Sequence, residues 1–431
     1  MSCPLTFFLQ YTKFWENPSA TPIMWVGLLF SIMSASALQQ ESASGLGGSS
    51  TSEPEPMLSS YRALTIHCLI AGDYLRPVRY TIETLILHFG VEQTVNVDSS
   101  TESWILIGVI IRIALRMGLH RDPSHWTHIQ PRQAERRRRL WITLYQMDFF
   151  TSTQVGLPRI IKDSQCDTRL PRHLLDHDPG LEHEVLLPEQ PPKEPTPLLY
   201  IVQRHAIIKV AAEIYDATEA GLLPSTTVDA LQTKLELAID AIPACLKYKS
   251  LETSVAEKPI TILHQIILDI LIFKATYLLH QQILAGGAAA KDGTKSDDQC
   301  VEAALSILAH QHMLSEETQP GGLMFSMRWK VASSLNHEFL QATMMLCLAL
   351  VRLNKEHEGI CGSRVPNRQN EIAEALTRAR DLWGNIAGQS AGAQKAANAI
   401  TAALQHDSND QCVSSASELP IGKTHAVCAY G

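Results

Sequence analysis

Closely spaced cysteines are missing from this sequence. The 431 residues contain nine cysteines, and the two nearest, Cys347 and Cys361, are 14 positions apart. Zinc sites built from neighbouring cysteines use short spacings such as CxxC, so the sequence excludes a local cysteine metal site. An odd and scattered set of cysteines in a long chain is typical of reduced, buried thiols in an intracellular protein.

Aromatic residues and positive charge are also scarce. Aromatic residues make up 6% of the chain, and no useful run alternates apolar and polar residues. The abundance of Leu, Ala and Ile favours helices over a β-sandwich or barrel, so the sequence predicts an all-α fold. The chain has 36 Lys and Arg against 44 Asp and Glu, a net charge of −8, which argues against nucleic-acid binding over its whole surface.

The common sequence signatures of catalysis are absent as well. There is no GxSxG motif, no GxGxxG motif and no Cys/His nucleophile signature. The paired carboxylates Asp297 and Asp298 lie in a stretch where nothing positions them for acid–base catalysis. We therefore expect that the protein is not an enzyme.

What the sequence does contain is enough apolar residues for a large core. Hydrophobic residues make up 45% of the chain, which excludes disorder throughout. Stretches rich in Gly, Ser or Pro interrupt the helical pattern and predict flexible insertions. We expect one large multi-helix domain over residues 1–405, with insertions near 41–56, 187–197 and 286–298, and a weakly ordered tail at 406–431.

Near the N-terminus, residues 17–40 carry no formal charge and allow two interpretations. Ala35-Ser36-Ala37 after the apolar run resembles the cleavage site of a signal peptide. However, Lys13 and Glu16 cancel each other in the flank, and the continuous apolar stretch is shorter than the ~20 residues that a membrane span needs. We favour a buried core helix and no association with a membrane.

Helical periodicity dominates the rest of the chain. Gly90, Gly118 and Gly156 are expected to end three of the helices, since glycine readily adopts the left-handed conformation of a C-cap. Pro131 can open another helix. The pattern predicts helices over residues 57–75, 78–89, 104–117, 131–154, 198–220, 227–242, 259–285, 298–314, 328–354, 368–388 and 391–405.

Two groups of histidines are candidate metal ligands. His173 and His177 would lie on one face of a helix, but prolines bracket this segment and no further ligand pattern accompanies them. His120, His125 and His128 fit the spacing of no standard metal site. The sequence therefore predicts no metal site and no cofactor.

The strongest charge cluster is the run of four arginines at residues 136–139. Four consecutive helical residues spread over roughly 300° around the helix, so they cannot all face one phosphate backbone. We favour a structural role, in which at least one arginine pairs with Glu135 or Asp148. Glu135 and Arg139 also have the spacing of a helical ion pair. A nuclear import signal, direct DNA contact and a solvated helix face are the alternatives.

The motifs around this cluster resemble those of one known family. A helix ends in GLHRD at residues 118–122, the next opens with ERRRRLW at 135–141, and GLP follows at 156–158. This combination resembles the regulatory (middle homology) domain of fungal-specific transcription factors, and the residues up to Ser31 resemble its opening. The resemblance within the motif core, residues 98–180, is carried by Trp104, Gly108, Arg112, Gly118, His120, Arg121, Asp122, Glu135, Arg137, Arg138, Arg139, Trp141, Asp148, Ser152, Gly156 and Pro158.

The resemblance implies a nuclear regulator of transcription, acting on a metabolic or secondary-metabolite gene cluster. Members of the family usually carry a binuclear zinc cluster ahead of this domain, and no position of this chain matches its cysteines. DNA-contacting residues and metal ligands therefore cannot be transferred. We expect a protein that reaches DNA only indirectly, through other transcription factors or coactivators, and that responds to a small-molecule effector of unknown identity.

Two alternatives to this hypothesis remain at the level of sequence. The chain could be a helical interaction module or dominant-negative scaffold that sequesters a related full-length factor. It could also derive from an incomplete gene prediction of a DNA-binding zinc cluster factor.

Overall fold

The computed structural model describes residues 4–43, 56–96, 98, 100–172, 195–254, 257–286, 293–357, 366–388 and 390–405. Within these ranges the secondary structure is helical, and they contain no β-strand. The predicted all-α fold is thereby confirmed. Several predicted features lie outside the described residues, namely most of the three insertions, the tail and the pair His173 and His177.

The chain divides into two compact units, residues 1–205 and 206–431. The expectation of a single domain over residues 1–405 stays a prediction. The helices of the first unit are α1 (Pro4–Glu16), α2 (Ile23–Ala43), α3 (Pro56–Ala71), α4 (Thr81–Val95), α5 (Ser100–Arg116) and α6 (Pro131–Val155). Helix α7 (Pro197–Glu219) begins in the first unit and continues into the second.

The core of the first unit is built on α2, which packs against α3 and α4. Gly27 allows the close approach of α2 to α3, because a Cβ atom added there would lie only 3.0 Å from the Cβ of Cys68. Met24 and Leu28 of α2 are buried in this core, and burial of such a side chain stabilises the fold by roughly 1.5–3 kcal/mol. Farther along the chain, α5 packs against both α4 and α6.

The second unit contains a second helical core. Its helices are α8 (Ser225–Asp240), α9 (Pro259–Gly286), α10 (Gly293–Glu317), α11 (Arg328–His357), α12 (Pro366–Ile386) and α13 (Ala391–Gln405). Helix α9 packs mainly against α10, and α11 packs against α10, α12 and α13. Lys274 of α9 and Glu338 of α11 form a buried ion pair in this core, with 2.8 Å between Nζ and Oε1.

Helix α3 ends at Ala71 and α5 begins at Ser100, each four residues from the predicted bound, and α4 and α10 extend farther beyond theirs. Helix α4 runs through Gly90 to Val95, because glycine costs only about 0.5–1 kcal/mol inside a helix and the buried neighbours Phe89 and Val91 hold this turn in the core. Helix α10 begins at Gly293, so residues 293–298, which composition assigned to a flexible insertion, are helical.

Two of the described helices are long and apolar enough to cross a membrane by length and composition. They comprise 18 residues of α2, Ile23–Gln40, and 23 residues of α9, Pro259–Gln281. Both also pack within helical cores, and 67% of the α9 segment is buried inside the protein. Packing against neighbouring helices is what a core helix requires, and it is the interpretation that the sequence favoured for α2.

Candidate functional site

The predicted motifs meet where the chain leaves α5. Gly118, Asp122 and Arg138 form this site, which we call the corner. Gly118 adopts a left-handed conformation with a φ of 69°, which ends the helix. The backbone N–H of Leu119 then donates a hydrogen bond to the carbonyl of Ala114 (3.0 Å). The side chain of Leu119 is buried, so the turn is anchored by burial as well as by backbone hydrogen bonds.

Asp122 is the most heavily hydrogen-bonded carboxylate of this corner. It caps the short 3-10 turn Pro123–His125 by accepting the backbone N–H of Ser124 (3.0 Å), and it accepts the backbone N–H of Arg169 (3.0 Å). Arg138 approaches it with two guanidinium nitrogens, Nε at 2.9 Å from Oδ2 and Nη2 at 3.0 Å from Oδ1. Asp122 is only 2% exposed, so these four donors replace its hydration.

The charge state of Asp122 follows from these contacts. Burial by itself would raise the pKa of its carboxyl group, because a low-dielectric environment disfavours the charged form. The hydrogen bonds from Arg138, Ser124 and Arg169 outweigh burial and hold the pKa well below its usual range. Asp122 is therefore ionised at neutral pH and paired with a guanidinium in bidentate geometry.

Arg138 also links α6 to the segment that follows this corner. Its Nη1 donates to Oε1 of Glu135 at 2.8 Å, and the other oxygen of Glu135 accepts the backbone N–H of Arg172 at 2.9 Å. Glu135 was one of the two carboxylates that the sequence suggested as a partner for the arginine run. Asp122 was not suggested, because only the tertiary fold brings it to α6.

The other arginines of the run contact different neighbours. Arg137 donates from Nη2 to the carbonyls of Met117 (2.8 Å) and Gly118 (2.9 Å), which satisfies backbone acceptors left open at the end of α5. Burial lowers the pKa of its guanidinium. Arg136 instead forms an ion pair with Glu83 at the start of α4.

A second aspartate, Asp167, completes the corner. Asp167 accepts the backbone N–H of Asp122 at 2.8 Å, and its Oδ2 lies 2.7 Å from Nε2 of His125 and 3.0 Å from Nη2 of Arg121. Asp167 is distant from these residues in sequence and belongs to no motif. No signal in the single sequence singled it out.

Asp148 occupies a separate site on α6. Its carboxylate is fully buried and accepts the backbone N–H groups of Ile160 (3.2 Å) and Ile161 (2.8 Å). Burial raises the pKa of this carboxyl group, although the two backbone hydrogen bonds oppose the shift. The expectation that Asp148 could be the partner of the arginine run is corrected by this geometry, since Asp148 faces the loop after α6. The pairing of Glu135 with Arg139 stays a prediction.

Comparison with known proteins identifies the domain in which this arrangement lies. Residues 5–210 match the fungal-specific transcription factor domain, and the match ends close to the boundary of the first unit at residue 205. The chain carries a fungal-specific transcription factor domain. The corner formed by Gly118, Asp122 and Arg138 thus lies inside this domain.

Similar curated proteins are transcription factors. The chain is 38% identical over 408 residues to the Zn(2)-C6 fungal-type transcription factor mpsB of Macrophomina phaseolina, covering 94% of this chain and 55% of the relative. It is 38% identical over 397 residues to the Zn(2)-C6 fungal-type transcription factor pigI of Monascus ruber, covering 91% of this chain and 48% of the relative. It is 33% identical over 405 residues to the equisetin cluster transcription factor eqxF of Fusarium heterosporum, covering 92% and 58%.

The chain spans about half the length of these relatives, from 48% to 58%. No solved structure matches it.

Within the fungal-specific transcription factor domain, a second set of motif residues surrounds the loop after α6. Gly156 ends α6 in a left-handed conformation with a φ of 66°, and the backbone N–H groups of Gly156 and Leu157 both donate to the carbonyl of Ser152. Gly108 of α5 faces the same loop, because a Cβ atom there would lie 3.2 Å from Cδ1 of Ile160. These glycines fix the path that allows Asp148 to reach its two backbone donors.

The remaining motif residues are distributed around these two sites. Trp141 is buried, and its ring lies 6.2 Å from that of His120. Trp104 is half-buried, Arg112 is exposed on the outer face of α5, and Pro158 is exposed. Arg139 is half-buried on α6. The structure therefore brings together the GLHRD motif and the arginine run, whereas Arg112 lies apart from the corner.

The residues of the corner have a structural role, because their hydrogen bonds connect separate segments of the domain. Both oxygens of Asp122 and both oxygens of Glu135 accept hydrogen bonds from protein donors. In the part of the chain that the structure describes, no three His, Cys, Asp or Glu side chains are grouped to hold a metal ion. The contacts at the corner connect α5, α6 and the segment around Asp167 in the domain.

Proposed function

We propose that the chain regulates transcription of a fungal secondary-metabolite gene cluster and acts in the nucleus. The observation that supports this best is the extent of the similarity to the equisetin cluster transcription factor, which covers 92% of this chain and therefore both compact units. Other similar proteins include the fusarisetin A cluster transcription factor of a Fusarium strain, at 33% identity over 408 residues.

We further propose that the chain reaches DNA only through partner proteins, which are other transcription factors or coactivators. Two observations support it. The 431 residues contain no cysteines spaced for a zinc cluster, and the chain carries a net charge of −8. In addition, Arg136, Arg137 and Arg138, the densest positive charge in the sequence, contact internal acceptors of the first unit. Phosphate binding requires cationic groups that are open to the nucleic acid. A regulator that reaches DNA through partner proteins needs no zinc ion or other cofactor bound to these 431 residues.

A binding measurement with the purified 431-residue chain tests the route to DNA. The chain is incubated with a pool of random duplexes at physiological salt, and bound DNA is recovered and sequenced. We expect negligible enrichment of any sequence, because the internal contacts of the arginine run leave it unable to track a phosphate backbone. Enrichment of one sequence motif by this chain alone would contradict the proposal.

Deletion of the gene tests the regulatory role itself. If the chain supports activation through partners, transcript levels of its target cluster fall in the deletion strain, and re-expression of the chain restores them. If the chain sequesters a related full-length factor, the same transcripts rise on deletion. Unchanged transcription throughout the genome would contradict both versions.

A further inference from the structure

One face of the first unit carries several arginines that the corner does not use. Arg112 and Arg116 lie one turn apart on the exposed side of α5. The Nη1 atom of Arg116 donates a hydrogen bond to the carbonyl of Leu75 at 2.8 Å. This contact places the connection between α3 and α4 directly beside the exposed side of α5.

That connection adds further positive charge to the same surface. The side chain of Arg76 is 85% exposed, and Arg79 is exposed as well. Arg79 and Arg136 both lie over the ring of Tyr80, at 4.9 and 5.0 Å from its centroid. The contact of Arg116 with Leu75 thus places Arg112 and Arg116 of α5 on the same side of the unit as the exposed Arg76 and Arg79. We call the surface formed by Arg76, Arg79, Arg112 and Arg116 the arginine surface.

Two carboxylates, Asp73 and Glu83, lie beside the arginine surface. Asp73 lies 3.3 Å from Arg76, and both side chains are largely exposed. Glu83 is buried and bound to Arg136. Arg76 forms an ion pair with Asp73, whereas Arg79, Arg112 and Arg116 are exposed, which leaves a local excess of positive charge on a chain whose net charge is −8. A local patch of this sign attracts and orients an acidic partner.

Apolar side chains lie among these arginines. Leu75 is 54% exposed and Val78 is 51% exposed in the connection between α3 and α4. Ile105 is 57% exposed and lies two turns before Arg112, on the same side of α5. A surface built only to bind phosphates gains nothing from exposed apolar side chains, whereas a peptide groove combines apolar contact with a few charged anchors.

We propose that the arginine surface, together with Leu75, Val78 and Ile105, binds a partner segment in which acidic and apolar residues alternate. The planar guanidinium groups match carboxylates with two parallel hydrogen bonds, and the three apolar side chains cover the apolar residues of the segment. Sequences of this chemistry are typical of amphipathic activation segments. The inference rests on the proposed function in that it names the chemistry of the partner through which the chain acts.

Binding of a labelled peptide to the full chain tests this proposal without any measurement of transcription. The probe is a fluorescein-labelled synthetic peptide that alternates aspartate and leucine, and anisotropy is recorded at low and at physiological salt. We expect the double variant R79E/R112E to bind about tenfold more weakly than the wild type, because two attractive contacts become repulsive. The variant L75S/I105S should bind about three- to tenfold more weakly.

Three controls separate the outcomes. R378E reverses an exposed arginine on α12 and should change the affinity by less than about twofold. A peptide with asparagine in place of each aspartate should bind poorly. Circular dichroism checks that all variants keep the helical fold.

The proposal would be overturned if the wild type does not bind the peptide, or if R378E loses as much affinity for the peptide as R79E/R112E. Binding of random duplex DNA that is lost in R79E/R112E and kept in L75S/I105S, without peptide binding, would assign the surface to nucleic acid instead. If deletion of the gene leaves transcription unchanged while the purified chain still binds the peptide, the proposed function is contradicted. The assignment of the arginine surface as a peptide-binding site is then retained.

Discussion

Asp122 and Asp148 provide a comparison within one unit, because each is almost completely buried and each accepts two backbone N–H groups. Arg138 binds the carboxylate of Asp122 in bidentate geometry, whereas at Asp148 the positive charges of Arg159 and Lys162 contribute less to lowering the pKa than the two backbone hydrogen bonds do. The pKa of Asp122 lies below its ordinary value, and the pKa of Asp148 lies above it. At Asp148, two backbone hydrogen bonds and nearby positive charge therefore do not outweigh burial, whereas at Asp122 the bidentate hydrogen bonds of Arg138, added to the backbone donors, do.

The difference has a consequence for the domain. The site of Asp122 is a charged joint in which Arg138 holds together the end of α5, the start of α6 and the segment near Arg169. At the other site, Asp148 accepts two backbone hydrogen bonds from the loop directly after its own helix and so fixes only that loop. Loss of a group from the first site should therefore disturb more of the structure than loss of a group from the second.

The largest expected effect comes from removing the arginine that distinguishes the two sites. Arg138→Ala leaves Asp122 and Glu135 buried without their cation, so we expect the free energy of unfolding to fall by about 3–5 kcal/mol. Urea unfolding of the full chain, followed by circular dichroism, measures this change. Arg112→Ala serves as the matched control, since Arg112 is exposed on α5 and its loss should change stability by less than about 0.5 kcal/mol. An unchanged midpoint for Arg138→Ala would mean that the joint contributes nothing to the fold.

The opposite pKa shifts predict opposite pH dependences. A carboxyl group with a lowered pKa in the folded state stabilises the protein above its unfolded pKa, and this contribution is lost as the pH falls through the carboxylate range. The stability difference between the wild type and Asp122→Asn should therefore shrink by about 1.5–3 kcal/mol as the pH falls from 7 to the acid limit of folding.

For Asp148 the sign is reversed. Its pKa is raised in the folded state, so the folded protein binds the proton more tightly, and the contribution of Asp148 to stability falls as the pH rises. The stability of the wild type relative to Asp148→Asn should therefore increase on acidification. Urea unfolding at a series of pH values measures both differences. Parallel slopes for the two variants would contradict the contrast drawn between the two sites.

A smaller effect is expected at the glycine that turns the chain toward Asp122. Gly118→Ala places a Cβ atom at a φ of 69°, which should cost about 1–2 kcal/mol. Gly90 is the matched control, because it lies inside α4 with open space around it, and Gly90→Ala should stabilise the protein by about 0.5–1 kcal/mol. Thermal unfolding of the two variants compares them directly. A shift of the same sign in both would show that the left-handed turn at Gly118 is not required.

Much of the candidate site could be predicted from local sequence. Gly118 and Gly156 mark the ends of α5 and α6 as expected, and Pro131 opens α6. Glu135 could be suggested as a partner of the arginine run, because it directly precedes the run on the same helix, and the structure pairs it with Arg138. Each of these statements needs only the geometry of a helix and its termini.

The sequence by itself determined that the chain is helical, where most of the helices lie and which motifs it shares with fungal transcription factors. Only the tertiary structure decided that Arg138 pairs with Asp122, that Asp167 closes the same corner and that Asp148 clamps a loop instead. The reason is physical. Helix formation follows from periodicity over a few neighbouring residues, whereas the partner of a buried charge depends on which segments, distant in sequence, the packing of helices brings within hydrogen-bonding distance.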